Sequence, residues 1–242
     1  MTAGTFGGRA PRDRLIVALD VATQRDALAL VDRLGEAVGF YKVGLELFAA
    51  AGPEVVRELK GRGCRVMADL KLHDIPATVE RAASALASLG ADLLTVHALG
   101  GPAMLEAARR GAGAGDGRPA VVGVTLLTSH HGGELPGVYN WSRGIPGIVE
   151  MLASAARGSG LDGVVASPVE AATIRAQFGP SFLIVTPGVR PEGAEAGDQA
   201  RTATPAEALR AGASLLVVGR PITRAADPAL AAREIIAEME AA

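Results

Sequence analysis

The chain has 242 residues, of which 49% are hydrophobic and only 3% aromatic, and its formal net charge is −2. A hydrophobic share of this size excludes a disordered chain. The near-neutral charge and the scarcity of aromatic residues argue against a protein that binds nucleic acid or an anionic membrane. Any anion that the protein binds must therefore be held at a local site.

Short apolar runs typical of β-strands alternate along the chain with longer helical patterns rich in Ala and Leu. The predicted strands are Leu15–Asp20, Phe40–Gly44, Arg65–Lys71, Leu93–His97, Val121–Leu127, Gly163–Ala166, Leu183–Pro187 and Leu215–Gly219. The predicted helices are Gln24–Gly35, Leu45–Gly61, Thr78–Leu89, Pro102–Gly111, Ile145–Gly158, Val169–Phe178, Pro205–Ala211 and Pro228–Met239. Because the strands are almost continuously apolar, they suit a parallel sheet that is covered on both faces.

Eight strand–helix units in a chain of about 250 residues predict an α/β protein, a TIM (β/α)8 barrel with a single domain. An open doubly wound sheet is the alternative, although no G-x-G-x-x-G fingerprint follows the first strand. We expect the barrel to span residues 14–242 and to follow a flexible N-terminal segment of residues 1–13.

The same sequence favours a cytoplasmic protein. Residues 1–14 are Gly-rich and charged without an apolar segment, so we expect no secretory signal. No run approaches the eighteen consecutive apolar residues of a membrane span. The lone Cys64 leaves no disulfide within the chain, which fits a reducing compartment.

Polar residues lie at most of the predicted strand ends, where a TIM barrel builds its active site. The most informative run is Ala68–Pro76, in which Asp69 and Lys71 are two residues apart and share a face of a regular strand. Asp74 follows directly, where Ile75 and Pro76 disfavour a helix and end the strand. Because isolated buried charges are costly, the run indicates either a structural ion-pair cluster or a catalytic charge array.

The loops after the seventh and eighth strands predict a phosphate site. Gly219 would let a phosphate approach backbone N–H groups, and Arg220 could clamp phosphate oxygens with its planar guanidinium. Arg190 supplies a second guanidinium after the seventh strand, and Gln199 lies on the loop that follows. A solvated arginine explains either motif alone, but the two together favour a phosphomonoester ligand.

The run Asp69-Leu70-Lys71-Leu72-His73-Asp74-Ile75-Pro76 resembles the signature of the orotidine 5′-phosphate decarboxylase family. Further matching segments follow in order along almost the whole chain: Leu15–Asp20, Tyr41–Gly44, Thr95–His97, Leu127–Ser129, Thr186–Arg190, Asp198-Gln199 and Gly219–Ile222. The resemblance implies a homodimeric TIM barrel that needs no cofactor or metal. It also implies the conversion of orotidine 5′-monophosphate to UMP and CO2, the last step of de novo pyrimidine synthesis.

The resemblance further implies a role for each matching residue. Lys71 would donate a proton to C6 of the pyrimidine, within a charge network that Asp69, Asp74 and Lys42 complete. Asp74 would act in the neighbouring subunit's site together with Ile75 and Thr78. The other substrate contacts would be Asp20 and Lys42 on the ribose hydroxyls, Thr128 or Ser129 on the pyrimidine edge, Pro187 beside the substrate, and Arg190, Gln199, Gly219 and Arg220 on the phosphate.

Two other functions remain open on the sequence. One is a metal-dependent sugar-phosphate decarboxylase or aldolase of the same superfamily. This chain resembles those enzymes too, because they also carry the Asp-x-Lys-x-x-Asp pattern that residues 69–74 show. The ending His73–Pro76 and Arg190 favour the nucleotide enzyme instead. The other is a non-catalytic barrel that binds a phosphorylated ligand, against which the complete set Asp69, Lys71 and Asp74 speaks.

Overall fold

A computed structural model describes residues 10–129, 144–191 and 202–242 of the chain. Eight parallel strands close into a barrel in the order of the sequence. The predicted TIM barrel is therefore confirmed, and the open doubly wound sheet is wrong. Of the N-terminal segment 1–13 that we expect to be flexible, residues 1–9 lie outside the described residues, and a short helix, Pro11–Arg14, leads directly into the first strand.

The strands follow the predicted ones closely but mostly stop earlier at their carboxyl ends. Their bounds are β1 Leu15–Ala18, β2 Phe40–Gly44, β3 Arg65–Leu72, β4 Leu93–His97, β5 Ala120–Val124, β6 Gly163–Val165, β7 Leu183–Thr186 and β8 Leu215–Val218. Asp20, Pro187 and Gly219, which we predict to end strands, lie in the loops beyond them. Only β3 extends past its predicted end, and it does so through the run that carries Asp69 and Lys71.

The helices pack around the barrel between successive strands. Their bounds are α1 Pro11–Arg14, α2 Gln24–Leu34, α3 Leu45–Ala51, α4 Glu54–Gly61, α5 Pro76–Ser88, α6 Gly101–Gly111, α7 Gly144–Gly158, α8 Pro168–Phe178, α9 Pro205–Arg210, α10 Arg220–Thr223 and α11 Pro228–Glu240. The single helix predicted over Leu45–Gly61 is wrong. Gly52 ends α3 with a φ of 67°, and Pro53 cannot continue the backbone ladder. None of the helices in the described ranges has the length and apolar character needed to cross a bilayer.

Residues of each strand alternate between the barrel interior and the layer under the helices. Ile16 of β1 packs inside with side chains such as Phe40 and Met67, whereas Leu15 and Val17 pack outward against the helices. Both sets are fully buried, which explains why the strands read as continuous apolar runs rather than as alternating ones.

Side chains that precede β4, β6 and β8 fasten the amino-terminal rim of the barrel. In each case a side-chain oxygen accepts a hydrogen bond from a backbone N–H of the preceding strand. The donor and acceptor residues are Val66 with Asp92, Val121 with Asp162, and Ile184 with Ser214. Asp162 also forms a buried two-pronged ion pair with Arg118, whose nitrogens lie 2.6 and 2.7 Å from its carboxylate oxygens. At these three places the amino-terminal rim satisfies backbone N–H groups with its own side chains.

Candidate active site

A cavity of about 340 Å³ opens at the carboxyl ends of the strands, where this fold places its active sites. Its size is that of a small-molecule site. The predicted site residues that line it are Asp20, Lys42, Asp69, Lys71, Thr128, Pro187, Arg190, Gly219 and Arg220. Ser129 lines it as well, so both residues of the predicted Thr128-Ser129 pair border the same space. Gln199 lies outside the described residues.

Four charged side chains of alternating sign form a row along one wall of the cavity. The Lys42 ammonium lies 2.8 Å from Asp20 Oδ1 and 3.6 Å from Asp69 Oδ2. The Lys71 ammonium lies 2.9 Å from the same Asp69 oxygen. Lys42 and Asp69 therefore each lie between two opposite charges. Lys71 ends the row with an ammonium group directed at the cavity.

Asp69 is the buried centre of this row. Burial raises the pKa of its carboxyl group. The ammonium groups of Lys71 and Lys42 have the opposite effect, as do hydrogen bonds from Lys71 and Thr95. Together they outweigh burial and lower the pKa below its usual value. Asp69 is consequently an anion at neutral pH. An uncharged acid in this place would leave two ammonium groups facing each other across the cavity wall without a counter-charge.

The backbone brings Asp69 and Lys71 together by a route that the sequence pattern does not reveal. The pairing of β3 with β4 shifts register between Ala68 and Leu72, and Lys71 adopts a φ of 49°. Plain alternation on a regular strand, which we use above to put the two side chains on one face, is therefore the wrong reason. A bulge next to an active site commonly re-aims a side chain in this way.

Thr95 of β4 contacts the charged row, although the sequence motifs assign it no role. Its hydroxyl accepts a hydrogen bond from the Lys71 N–H at 2.9 Å and donates one to Asp69 Oδ1 at 3.0 Å. The signal for it was a polar residue between the apolar residues Leu94 and Val96, in a strand that pairs with the charged run.

Asp74, Ile75 and Thr78 lie apart from the cavity of their own chain. Asp74 is exposed, and its carboxylate accepts a hydrogen bond from the adjacent Ile75 N–H at 2.6 Å. Within a single chain Asp74 therefore does not join the buried Asp69 and Lys71, and its predicted place in the neighbouring subunit's site stays a prediction. Ile75, at 66% exposure, is one of the most exposed large apolar side chains in the described part of the chain.

The predicted phosphate residues Arg190, Gly219 and Arg220 line the same cavity as the charged row. Arg190 is buried, its N–H pairs with the Ala203 carbonyl, and its guanidinium donates to the Val189 carbonyl at 2.9 Å. Gly219 precedes α10 and Arg220 begins it, so two arginines and a residue without a side chain all line this cavity. This is the donor set that suits a phosphate group. No three His, Cys, Asp or Glu side chains within residues 10–129, 144–191 and 202–242 gather into a metal-binding group.

The chain is similar to proteins of one family over nearly its whole length. Residues 13–235 match the model of a family described as "Orotidine 5'-phosphate decarboxylase / HUMPS family". The orotidine 5′-phosphate decarboxylase of Moorella thermoacetica is 55% identical over 95% of this chain and 93% of its own. That of Methylobacterium sp. strain 4-46 is 51% identical over 95% and 96%. The crystal structure of the Lactobacillus acidophilus orotidine 5′-phosphate decarboxylase, 41% identical, superposes with a TM-score of 0.83 over 93% of this chain and 98% of that one.

Proposed function

The chain belongs to the orotidine 5′-phosphate decarboxylase / HUMPS family, and we propose on that premise that it converts orotidine 5′-monophosphate to UMP and CO2. This is the final step in the synthesis of UMP, and we expect it to run in the cytoplasm without a cofactor. The observation that carries the proposal is the row of alternating charges from Asp20 to Lys71 inside the cavity. In the proposed reaction this row supplies a cation next to the carbon that becomes an anion.

The chemistry requires such a cation. When the bond between C6 and the carboxylate breaks, its electron pair stays on C6 in the plane of the ring, where the π system delocalises it poorly. The ring offers no ketone for a Schiff base, so a covalent electron sink is not available either. Stabilisation must therefore be electrostatic and preorganised.

In this proposal the Lys71 ammonium stabilises the carbanion and then gives C6 a proton. The new C6–H bond completes UMP, and the neutral amine regains its proton from water. An ammonium about 4 Å from the developing charge contributes on the order of 4 kcal/mol at an effective dielectric near 20. Because enzymes lower barriers by roughly 8–23 kcal/mol, Lys71 alone does not suffice.

The remaining stabilisation comes from binding groups away from the reacting bond. Asp20 and Lys42 would hold the ribose hydroxyls, and Thr128 with Pro187 would border the pyrimidine. Arg190, Gly219 and Arg220, with Gln199, would hold the phosphate. Binding energy from a remote phosphate can orient the ring against Lys71. That both ends line one cavity supports this division of roles.

We also propose that two chains form a homodimer with shared active sites. Leu45 and Ile75 are 60% and 66% exposed, and Asp74 and Thr78 accompany Ile75 at the start of α5. Exposed large apolar side chains beside a cavity are typical of a surface that a partner covers. In the dimer, Asp74, Ile75 and Thr78 of one chain would complete the site of the other.

Mixed subunits test the shared site. A Lys71→Ala chain and an Asp74→Asn chain should each be nearly inactive as a homodimer. A mixed dimer of the two regains one site with both residues intact, so partial activity should return. Mixed dimers that form by mass but remain inactive would contradict the shared site.

The activity itself is tested with purified protein, orotidine 5′-monophosphate and excess EDTA, by following the loss of ultraviolet absorbance of the substrate. We expect rapid turnover in the wild type and none in Lys71→Ala, with circular dichroism showing that both are folded. Turnover that EDTA abolishes, or a preference for a sugar phosphate, would favour the metal-dependent decarboxylase or aldolase. Tight binding of UMP without any turnover would favour a non-catalytic binding barrel.

A further inference from the structure

The backbone of Lys71 is held in a conformation that it would not adopt unaided. Lys71 is the sole non-glycine residue with a positive φ, 49°, among those that the structure describes. The left-handed region is unfavourable for a residue with a β-carbon. Such strain persists only where surrounding contacts impose it, and it commonly accompanies function.

The contact that meets this need is the hydroxyl of Thr95. Thr95 is 1% exposed and stands on β4, the strand next to the bulge. Its oxygen accepts the Lys71 N–H at 2.9 Å, and its proton goes to Asp69 Oδ1 at 3.0 Å. The other Asp69 oxygen accepts from the Lys71 ammonium at 2.9 Å. Thr95, Asp69 and Lys71 thus close a ring of three hydrogen bonds.

We propose that Thr95 is a positioning residue for decarboxylation, which fixes both the backbone of the proton donor Lys71 and the orientation of the Asp69 carboxylate. The inference rests on the proposed function, and it goes beyond it by adding a residue that would not touch the substrate, since Thr95 does not line the cavity. A hydroxyl is needed here because it can accept from one group and donate to another at once. Valine has the same shape but neither capacity.

Packing alone does not account for a threonine at this position. Leu93 of the same strand faces the barrel interior, and Leu94 and Val96 face the helices, so Thr95 has aliphatic neighbours along β4 up to His97 at its end. An aliphatic residue at position 95 would leave the Lys71 N–H and the buried Asp69 Oδ1 without the partners they have now. Unmatched buried polar groups are costly, so the pair would shift to find new ones.

The test compares Thr95→Val, Thr95→Ser and Thr95→Ala, with Thr125→Val as a matched control. Thr125 is also 1% exposed, but its hydroxyl donates to the Val165 carbonyl and has no link to the charged row. We expect Thr95→Val and Thr95→Ala to lower kcat by about 10- to 100-fold. KM should change much less, because the phosphate residues lie on other loops. Thr95→Ser, which keeps the hydroxyl, and the Thr125→Val control should retain most of kcat.

Each outcome bears on the inference. A folded Thr95→Val enzyme with wild-type kcat, or a Thr95→Ser enzyme as slow as Thr95→Ala, would overturn it while leaving the proposed function intact. If Thr95→Val does not fold, the serine and alanine variants decide, since both lack the methyl group and differ in the hydroxyl. A wild-type protein without turnover would refute the proposed function, and with it the positioning role.

Discussion

The Gly44→Ala substitution is expected to disable the site while leaving the barrel folded. Gly44 ends β2, two residues after Lys42, and has a φ of −90° that alanine adopts readily. A β-carbon at this position would lie 2.9 Å from the Lys42 Nζ and 3.5 Å from Asp20 Oδ1. The backbone therefore accepts the new methyl group, and the flexible ammonium group has to yield.

The size of the effect follows from the row of charges. To reach an ordinary contact of 3.4 Å, the ammonium must retreat by about 0.5 Å from its present 2.9 Å. Its hydrogen bond to Asp20 is 2.8 Å and its contact with Asp69 is 3.6 Å, so the movement lengthens or bends one of them. At most the strength of one charge-assisted hydrogen bond is lost, about 1.5–3 kcal/mol. A loss of this size lowers kcat/KM by about 10- to 160-fold.

The assay is decarboxylation of orotidine 5′-monophosphate, with thermal unfolding measured on the same samples. Gly39→Ala is the matched control, because Gly39 precedes the other end of β2 and no atom lies within 4 Å of its added β-carbon. We expect Gly39→Ala to keep its activity and Gly44→Ala to melt near the wild type. A Gly44→Ala enzyme with unchanged kcat/KM would refute the reasoning, as would an equal loss in both variants.

Three further predictions follow from the same geometry. Arg220→Ala should lower kcat/KM strongly and weaken UMP binding in a titration, because a phosphate contact is lost; unchanged values would contradict the clamp. Asp162→Ala should lower stability by about 3–5 kcal/mol, since it leaves Arg118 buried without its partner. At about 2–4 °C per kcal/mol, the melting temperature should fall by roughly 6–20 °C, whereas Asp32→Ala, which breaks an exposed pair with Arg62, should barely change it. Finally, the lowered pKa of Asp69 stabilises the fold above its unfolded pKa, and this contribution is lost as the pH falls through the folded value. Lys71→Met removes one cause of that lowering, so acid unfolding should begin at a higher pH, and an unchanged onset would count against the pairing.

The fold was predictable because its signals are local and repeated. Each strand is an apolar run, and the apolar residues of each helix recur with the helical period. Eight such strand–helix units are enough to predict the barrel. Polar residues at strand ends then locate the cavity, since parallel strands bring those ends together. Sequence patterns place Asp69, Lys71 and Arg220 correctly at this mouth for that reason.

What the sequence did not predict depends on contacts between strands. The bulge that turns Lys71 into the left-handed region arises from pairing with β4 and from Thr95, which lies more than twenty positions along the chain. The break between α3 and α4 came from Gly52 and Pro53, whose signal was present but was overridden by the surrounding helical pattern. The exposure of Asp74 could not be read from its charge, because the same carboxylate fits a buried cluster or an intersubunit surface.

The fastenings at the amino-terminal rim have a consequence for how this protein can change. Asp92, Asp162 and Ser214 bind backbone N–H groups at the end of the barrel that lies away from the cavity. Substitutions of these three residues should lower the melting temperature, and substitutions around the cavity should lower the rate of turnover. Outside the row of charges that includes Asp69, stability and activity can therefore change independently in evolution, and the substrate could change while the barrel stays the same.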